Sequence, residues 1–342
     1  MAFMKAAVLH AQKEPLKLED VPVPTLDMGR VLVKVKMCGI CHTDISLMND
    51  YPLRKKPPLI LGHEVAGDIE QPNGCDEFQK GDRVMVRWTT ACRDCYYCRE
   101  GRESLCVRVK ALGIDMDGGF AEFVSVPSDN VLKIPDKLTY EEAALATEAI
   151  GTPYKAIKRA KIEPGSDVAV FGIGGLGINA VSMVSGLRRG RVIAVDVYPE
   201  KLKNAMDYGA SDTVNASETD AAQRIQELTE GRGVDVALEF VGRKDSMEQA
   251  VRCVRKGGRV VIVGATAVPF AVNPFRLFRE EVEITGSYGS TKADSEEVLA
   301  LMERGLMATK GIINSKCGLS EINGQVERLA KDRSIIRSVV IP

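Results

Sequence analysis

The chain has 342 residues, with 46 Lys and Arg against 47 Asp and Glu, a formal net charge of −1. Nothing in such a balance points to nucleic acid or to an anionic membrane as a partner. Its 45% hydrophobic and 27% charged residues are those of a soluble globular protein, and its length suggests about two domains. The opening MAFMKAAVLHAQKEP lacks the apolar run and cleavage site of a secretory leader. With nine cysteines, an odd number, the expected compartment is a reducing cytoplasm.

Roughly the first 150 residues have the pattern of a β-rich region. In VLVKVKM, Val31, Val33, Val35 and Met37 alternate with Leu32, Lys34 and Lys36, the period of two of a half-buried strand. Beyond that strand comes Cys41-His42-Thr43-Asp44, and after the loop PLRKKPPLILG comes Gly62-His63-Glu64. A single such residue is more often structural, free cysteine usually being an inert buried hydrophobe. Yet the chain has only three histidines and two of them stand here. DRVMVRW (82–88) and FAEFVSV (120–126) carry the β-branched and aromatic bias of further strands.

Between those two strands lies CRDCYYCREGRESLC, which places Cys92, Cys95, Cys98 and Cys106 at the spacing C-x2-C-x2-C-x7-C. Two intervening residues let neighbouring thiols face a common centre, and four thiolates close a tetrahedral shell around Zn²⁺ with no position left for substrate. An iron–sulfur cluster fits less well, because the trailing Cys-Pro is absent. Disulfides are the blander alternative, disfavoured in a chain without an export signal. A closed zinc site holds a lobe together and does no chemistry, so any reaction belongs elsewhere.

After about Gly151 short apolar strands alternate with helical stretches. DVAVFG precedes a helix from about Gly175, and RVIAVD precedes one near Pro199–Tyr208. VDVALEF, RVVIVG and VEITG follow, separated by DAAQRIQELTE and DSMEQAVRCVRKG. Such alternation predicts a parallel sheet covered on both faces. The uncharged run Val168–Leu187 is long enough to span a bilayer, but its five glycines and its Asn179, Ser182 and Ser185 suit a buried strand–turn–helix better. Within it, Gly172-Ile173-Gly174-Gly175-Leu176-Gly177 is a G-x-G-x-x-G that follows a strand and opens a helix, the context of a dinucleotide site. Gly172 permits the turn, Gly174 lets backbone approach a pyrophosphate, and Gly177 lets helix pack on sheet. Asp196 ends the second strand, nineteen residues past Gly177, where a carboxylate accepts from the ribose of NAD and repels the 2′-phosphate of NADP. The bland alternative for Asp196 is a helix-capping or surface carboxylate.

In its combination of GICHTD, GHE, the four-cysteine lobe and the glycine fingerprint, the sequence resembles the zinc-dependent medium-chain alcohol dehydrogenases over essentially its full length. The resemblance implies an α/β protein: a GroES-like β-rich catalytic domain of 1–149, completed by 289–342, around a Rossmann NAD-binding domain of 150–288. It implies a catalytic zinc held by Cys41, His63 and Glu148, the last in ALATEAIGTPYKA where many members have Cys. One thiolate and one carboxylate still neutralise Zn²⁺ and leave a fourth position open. The alternative for Glu148 is a carboxylate favoured by a helix N-terminus. Glu64 matches a glutamate that binds the metal transiently, and Asp44 the carboxylate that orients the ligating histidine. Thr43 matches the hydroxyl that takes the alcohol proton. Lys201, with Asp196, Gly175 and Leu176, belongs to the cofactor set, and His42 and Arg337 match basic residues placed against the pyrophosphate. Trp88 matches a substrate-pocket position, or is an ordinary core aromatic.

By this resemblance zinc polarises the alcohol oxygen, and hydride passes to NAD to give aldehyde or ketone plus NADH. One departure stands out: the histidine that many relatives carry five residues after the first ligand is Ser46 here, and His10 is assigned to the first strand. The proton then leaves through Ser46, water or another group. Three rivals remain. Polyol or threonine dehydrogenases also have an acidic third ligand, usually followed by Pro where this chain has Ala149. The zinc-free quinone reductases lack the cysteine lobe. A silent zinc-stabilised dinucleotide-binding scaffold would not need Cys41, Thr43 and His63 intact. Expected partners are a small alcohol or carbonyl substrate and further copies of the chain in a homodimer or homotetramer.

Overall fold

The computed structural model describes residues 2–188, 190–307 and 309–342. Ten strands lie before residue 140: β1 (Phe3–Leu9), β2 (Lys17–Pro22), β3 (Arg30–Ile40), β4 (Leu59–Ile60), β5 (Glu64–Gln71), β6 (Arg83–Val86), β7 (Thr89–Thr90), β8 (Lys110–Ala111), β9 (Phe123–Pro127) and β10 (Val131–Lys133). Six more follow as β11 (Asp167–Phe171), β12 (Arg191–Asp196), β13 (Asp212–Asn215), β14 (Val234–Glu239), β15 (Val254–Ile262) and β16 (Glu283–Gly286). The chain closes with β17 (Ile313–Gly318) and β18 (Arg337–Ile341). The fold falls into two compact units, one formed by Met1–Glu148, Thr291–Glu303 and Lys310–Pro342, the other by Ala149–Ser290 and Arg304–Thr309.

In the first unit the main sheet runs β10-β6-β5-β3-β18-β17, with β9 also paired to β3. The valine alternation of β3 faces a core that includes Val31, Val33, Val35, Ile69, Val84, Phe120 and Val340, whereas Met37 lies beyond a shift in the β3–β5 register. Leu32, expected on the polar side, is buried as well, and the helix Tyr140–Leu145 packs against β3 and β5. A central strand covered on both faces loses the clean alternation of a half-buried one. β3 pairs antiparallel with β5 and, toward its end, with β18, so a strand from the last residues of the chain lies beside the start of the Cys41 loop. β1 stops at Leu9. His10 therefore lies just outside the first strand, exposed, with Nε2 2.8 Å from Glu19 Oε1.

The second unit is a six-stranded sheet of order β13-β12-β11-β14-β15-β16, every pair parallel. Its core joins Ala169, Phe171, Ile193, Val195, Ala237 and Val260 to Ile225, Ala250 and Val251 of the flanking helices. The stretch read as a helix through Gly257 ends earlier, at Cys253, and β15 begins at Val254, which pairs with Val234. Gly257 at φ +66 would also interrupt a helix. The uncharged run 168–187 is a strand, a turn and the helix Gly177–Met183, as its glycines suggest. Among the described residues no helix is long and apolar enough to cross a membrane.

Candidate metal and dinucleotide sites

Cys41 follows the last residue of β3 and caps the helix His42–Asn49. His63 immediately precedes β5. Glu148 sits within a π-helical turn, Ala146–Ile150, that interrupts the helical run between Tyr140 and Ala160. It is therefore not at a helix N-terminus, and the wider turn re-aims its side chain, a use to which π-turns are often put at functional sites. The structure brings the three together in a buried group: Glu148 Oε2 lies 3.1 Å from His63 Nε2 and 3.5 Å from Cys41 Sγ. All three donor atoms lie within 4.8 Å of one another. Ligands about 2.0–2.3 Å from a tetrahedral zinc lie about 3.3–3.8 Å apart, so this sulfur, nitrogen and oxygen set fits the ion with one position uncommitted.

Asp44 is fully buried and ties this loop together. Its Oδ2 accepts from Cys41 N at 2.8 Å and its Oδ1 from Gly62 N at 3.2 Å. Oδ1 also stands 3.4 Å from His63 Nδ1, within ion-pair range but short of a formed hydrogen bond. Burial by itself would lower the His63 pKa, but Asp44 and Glu148 outweigh it and hold the imidazole well above its ordinary value. Glu148 shows the mirror image: burial would raise it, yet His63, Arg337 and Cys41 depress it to about 2. Both shifts favour the charged forms, a protonated imidazole facing an ionised carboxylate.

Glu64 does not point into the donor group. Its carboxylate is paired with Arg337, whose Nε donates to Oε2 at 3.0 Å while Nη2 contacts Oε1. Both side chains are buried, and burial pushes the Glu64 carboxyl up to about 7 despite the guanidinium. Thr43 is half-buried, with Oγ1 3.6 Å from Cys41 Sγ. Ser46 is half-buried on the next turn, its carbonyl accepting from Asp50 N and Tyr51 N. His42 is exposed at the first helical position. The Trp88 ring is buried with its centroid 6.0 Å from that of His63, which is both a core position and one beside the metal donors.

The cysteine lobe is built on the short helix Tyr96–Arg99 and a tight turn at Arg93, whose φ is +64. Cys98 Sγ lies 3.9 Å from Cys92 Sγ and 3.6 Å from Cys95 Sγ, and Cys106 completes the group. These are the separations of thiolates around a tetrahedral zinc and are far too long for the ~2.05 Å bond of a disulfide. Backbone amides point at the sulfurs: Cys92 N donates to Cys106 Sγ, Cys95 N to Cys92 Sγ and Arg108 N to Cys106 Sγ, at 3.2 to 3.4 Å. Amides beside Cys92 lower its pKa to about 5, while burial and the neighbouring sulfurs push Cys98 up to about 12. Beneath the lobe lies a pair that motif reading passed over. Arg87, 2% exposed, places Nη2 3.4 Å from Glu103 Oε1, and that oxygen also accepts from Lys292 N at 2.5 Å. The signal was available, a second cation, Arg87, between Val86 and Trp88 at the end of the run DRVMVRW.

In the second unit the glycine loop joins β11 to the helix Gly177–Met183. Gly172 has φ +87, and a Cβ at Gly177 would stand 1.8 Å from the Gly172 carbonyl oxygen. A Cβ at Gly174 would meet nothing within 4 Å, so that stretch of backbone borders open space. Gly175 accepts from Asn179 Nδ2 through its carbonyl, and Leu176 is the helix N-cap. Asp196 ends β12 with both oxygens engaged: Oδ2 accepts from Ile173 N at 2.7 Å, and Oδ1 from Val197 N and Tyr198 N at 2.8 and 3.2 Å. The carboxylate thereby fixes the glycine loop itself. Lys201 Nζ lies over the Tyr198 ring, 5.2 Å from its centroid. A half-buried glycine backbone bordering open space, a helix start and a buried carboxylate together suit a dinucleotide.

Comparison with known proteins agrees with this geometry. Residues 27–136 match the alcohol dehydrogenase GroES-like domain, and 175–304 match the zinc-binding dehydrogenase domain. An alcohol dehydrogenase of Geobacillus stearothermophilus is 39% identical over 331 residues, covering 96% of each chain. Sorbitol dehydrogenase of Bacillus subtilis is 36% identical over 99% of this chain and 97% of its own. The alcohol dehydrogenase of Aeropyrum pernix superposes with a TM-score of 0.90 at 35% identity, covering 99% of this chain and all of that one. With a three-donor centre, a four-thiol lobe and a glycine loop on a parallel sheet, the chain belongs to the zinc-dependent medium-chain alcohol dehydrogenase family of oxidoreductases.

Proposed function

We propose that the protein oxidises a primary or secondary alcohol to an aldehyde or ketone, using zinc held by Cys41, His63 and Glu148 and NAD held by the glycine loop. The observation that carries this reading is the buried convergence of one thiol, one imidazole and one carboxylate, with no fourth donor in the group among the described residues. Bound there, zinc supplies Lewis acidity toward the substrate oxygen, and NAD supplies the hydride acceptor. Asp44 holds the His63 loop, Thr43 receives the alcohol proton, and Ser46 or solvent carries it away. Asp196, with Lys201, selects the ribose of NAD over the phosphorylated ribose of NADP. His42 and Arg337 supply positive charge for the pyrophosphate, and Trp88 lines the substrate pocket. Cys92, Cys95, Cys98 and Cys106 hold a second, structural zinc.

A polyol is the second reading, favoured by 36% identity with a sorbitol dehydrogenase along nearly the whole chain. NAD reduction measured across primary, secondary, cyclic and polyhydroxy alcohols separates the two. No turnover by a protein holding two zinc ions would refute both and leave a silent scaffold. We further infer a homodimer or homotetramer working in the cytoplasm. The edge strand β16 and the nearby exposed Phe275, Leu277 and Phe278 support self-association, and the odd cysteine count with thiolate zinc ligands supports a reducing compartment.

A further inference from the structure

Gly39 has an ordinary backbone conformation for a strand, so its lack of a side chain calls for another reason. On β3 it lies directly between Glu64 of β5 and Val339 of β18. A Cβ built at Gly39 would stand 1.9 Å from Glu64 Oε2 and 2.9 Å from Glu64 Cβ. The Glu64 side chain therefore crosses β3 through the gap at Gly39 and meets Arg337 at the start of β18. Arg337 is 3% exposed and Glu64 is wholly buried. Arg337 Nη2, which contacts Glu64 Oε1, also stands 3.9 Å from Glu148 Oε2, the oxygen that faces His63 and Cys41.

We propose that Arg337 is a positioning residue of the catalytic metal centre, acting through a Glu64–Arg337 strut that Gly39 makes possible. The proposal rests on the reading of Cys41, His63 and Glu148 as that centre. Two buried carboxylates lie on one guanidinium. Arg337 compensates the charge of Glu64, which would otherwise be an unpaired anion beside the donors, and restrains the Glu148 oxygen in the geometry that zinc requires. Groups outside the ligand set commonly govern metal affinity in this way. The strut also makes the last strand of the chain part of the metal centre, although no ligand comes from it.

The test compares holoenzyme variants by chelator competition, with far-UV circular dichroism to confirm folding. Arg337→Met should bind one of the two zinc ions about 10- to 100-fold more weakly, with the other unchanged. Gly39→Ala removes no charge and no hydrogen-bonding group, yet it should produce the same selective loss. Both variants should shift the visible bands of cobalt substituted at the catalytic site in the same direction. Arg337→Lys, which keeps the charge but not the planar fork, should fall between wild type and Arg337→Met. Because both changes break one strut, Gly39→Ala combined with Arg337→Met should be no worse than the weaker-binding single variant. Wild-type zinc affinity in either folded single variant, or losses that multiply in the double, would overturn the proposal. Should Gly39→Ala not fold, Glu64→Gln takes its place in the same cycle. A wild-type chain that holds only one zinc would instead overturn the metal-centre reading beneath it.

Discussion

Asp44 and Glu148 flank His63 and favour its protonated form, and an imidazolium cannot ligate zinc. Metal uptake must displace that proton. The sign follows from the raised pKa: below it, each unit of falling pH adds tenfold to the proton's competition. His63 alone should therefore lower the apparent zinc affinity of this site by about tenfold per pH unit, and the proton that the Cys41 thiol must also release makes the fall steeper, measured by competition titration of the apoprotein. Asp196 makes a different prediction, because its oxygens already hold three backbone amides, one of them in the glycine loop. Asp196→Ala should narrow the preference for NAD over NADP mainly by raising KM for NAD. It should also loosen the loop, with a stability loss of about 1–3 kcal/mol by denaturant titration. At Thr43 the proton route is at stake. Thr43→Val should lower kcat by about 100-fold or more, and its full activity would place proton release on another face of the site. With Ser46 in place of a histidine, no ionisation near pKa ~6.5 should arise from a relay.

The cysteine lobe and the glycine loop are each short elements held by a few groups. Cys98→Ser should release one zinc and loosen the 92–106 lobe, visible as faster proteolysis there, while the other zinc stays bound. Breaking the buried pair beneath the lobe should be costly in its own right. Glu103→Ala takes one carboxylate from the buried Arg87 and strips Lys292 N of its acceptor, so a loss of about 1–3 kcal/mol is expected on thermal or denaturant unfolding. The glycine loop is limited by space instead of charge. Gly177→Ala would drive a methyl into the Gly172 carbonyl, so that the helix must part from the strand. Weaker NAD binding should accompany lower stability.

Two zinc ions per chain, with separable roles, is the central expectation for the whole molecule, checked by elemental analysis of protein purified without chelator. Cys41→Ser or His63→Ala should lose one zinc and nearly all turnover while the fold survives, because neither residue belongs to the lobe. Assembly is open to direct measurement by light scattering. A charge substitution at the exposed Phe278 should lower the oligomer's mass if the edge of the parallel sheet carries the contact.

Motif spacing was sufficient to single out the four-cysteine set, since four thiols at such short intervals can face one centre, whereas Cys41, His63 and Glu148 were proposed together only through the family resemblance. Strand–helix alternation and the glycine fingerprint likewise announced the parallel sheet, because a buried parallel strand must be apolar throughout and a phosphate loop must lack side chains. Other features depended on contacts between residues far apart in the chain. Leu32 proved buried because a helix packs where alternation promised solvent, and the helix before β15 ended early because Val254 found a partner in Val234. Glu148 was proposed as a ligand through the resemblance, but the π-turn that places it was not foreseen, since one extra residue in a helical turn leaves no periodic trace. Gly39, Glu64 and Arg337 are separated by up to 298 positions. Their strut exists because antiparallel pairing sets three strands side by side, and a glycine in the middle one leaves room for a carboxylate to cross. Local chemistry was written in the sequence, whereas the gap, the crossing and the shared guanidinium were decided by tertiary packing.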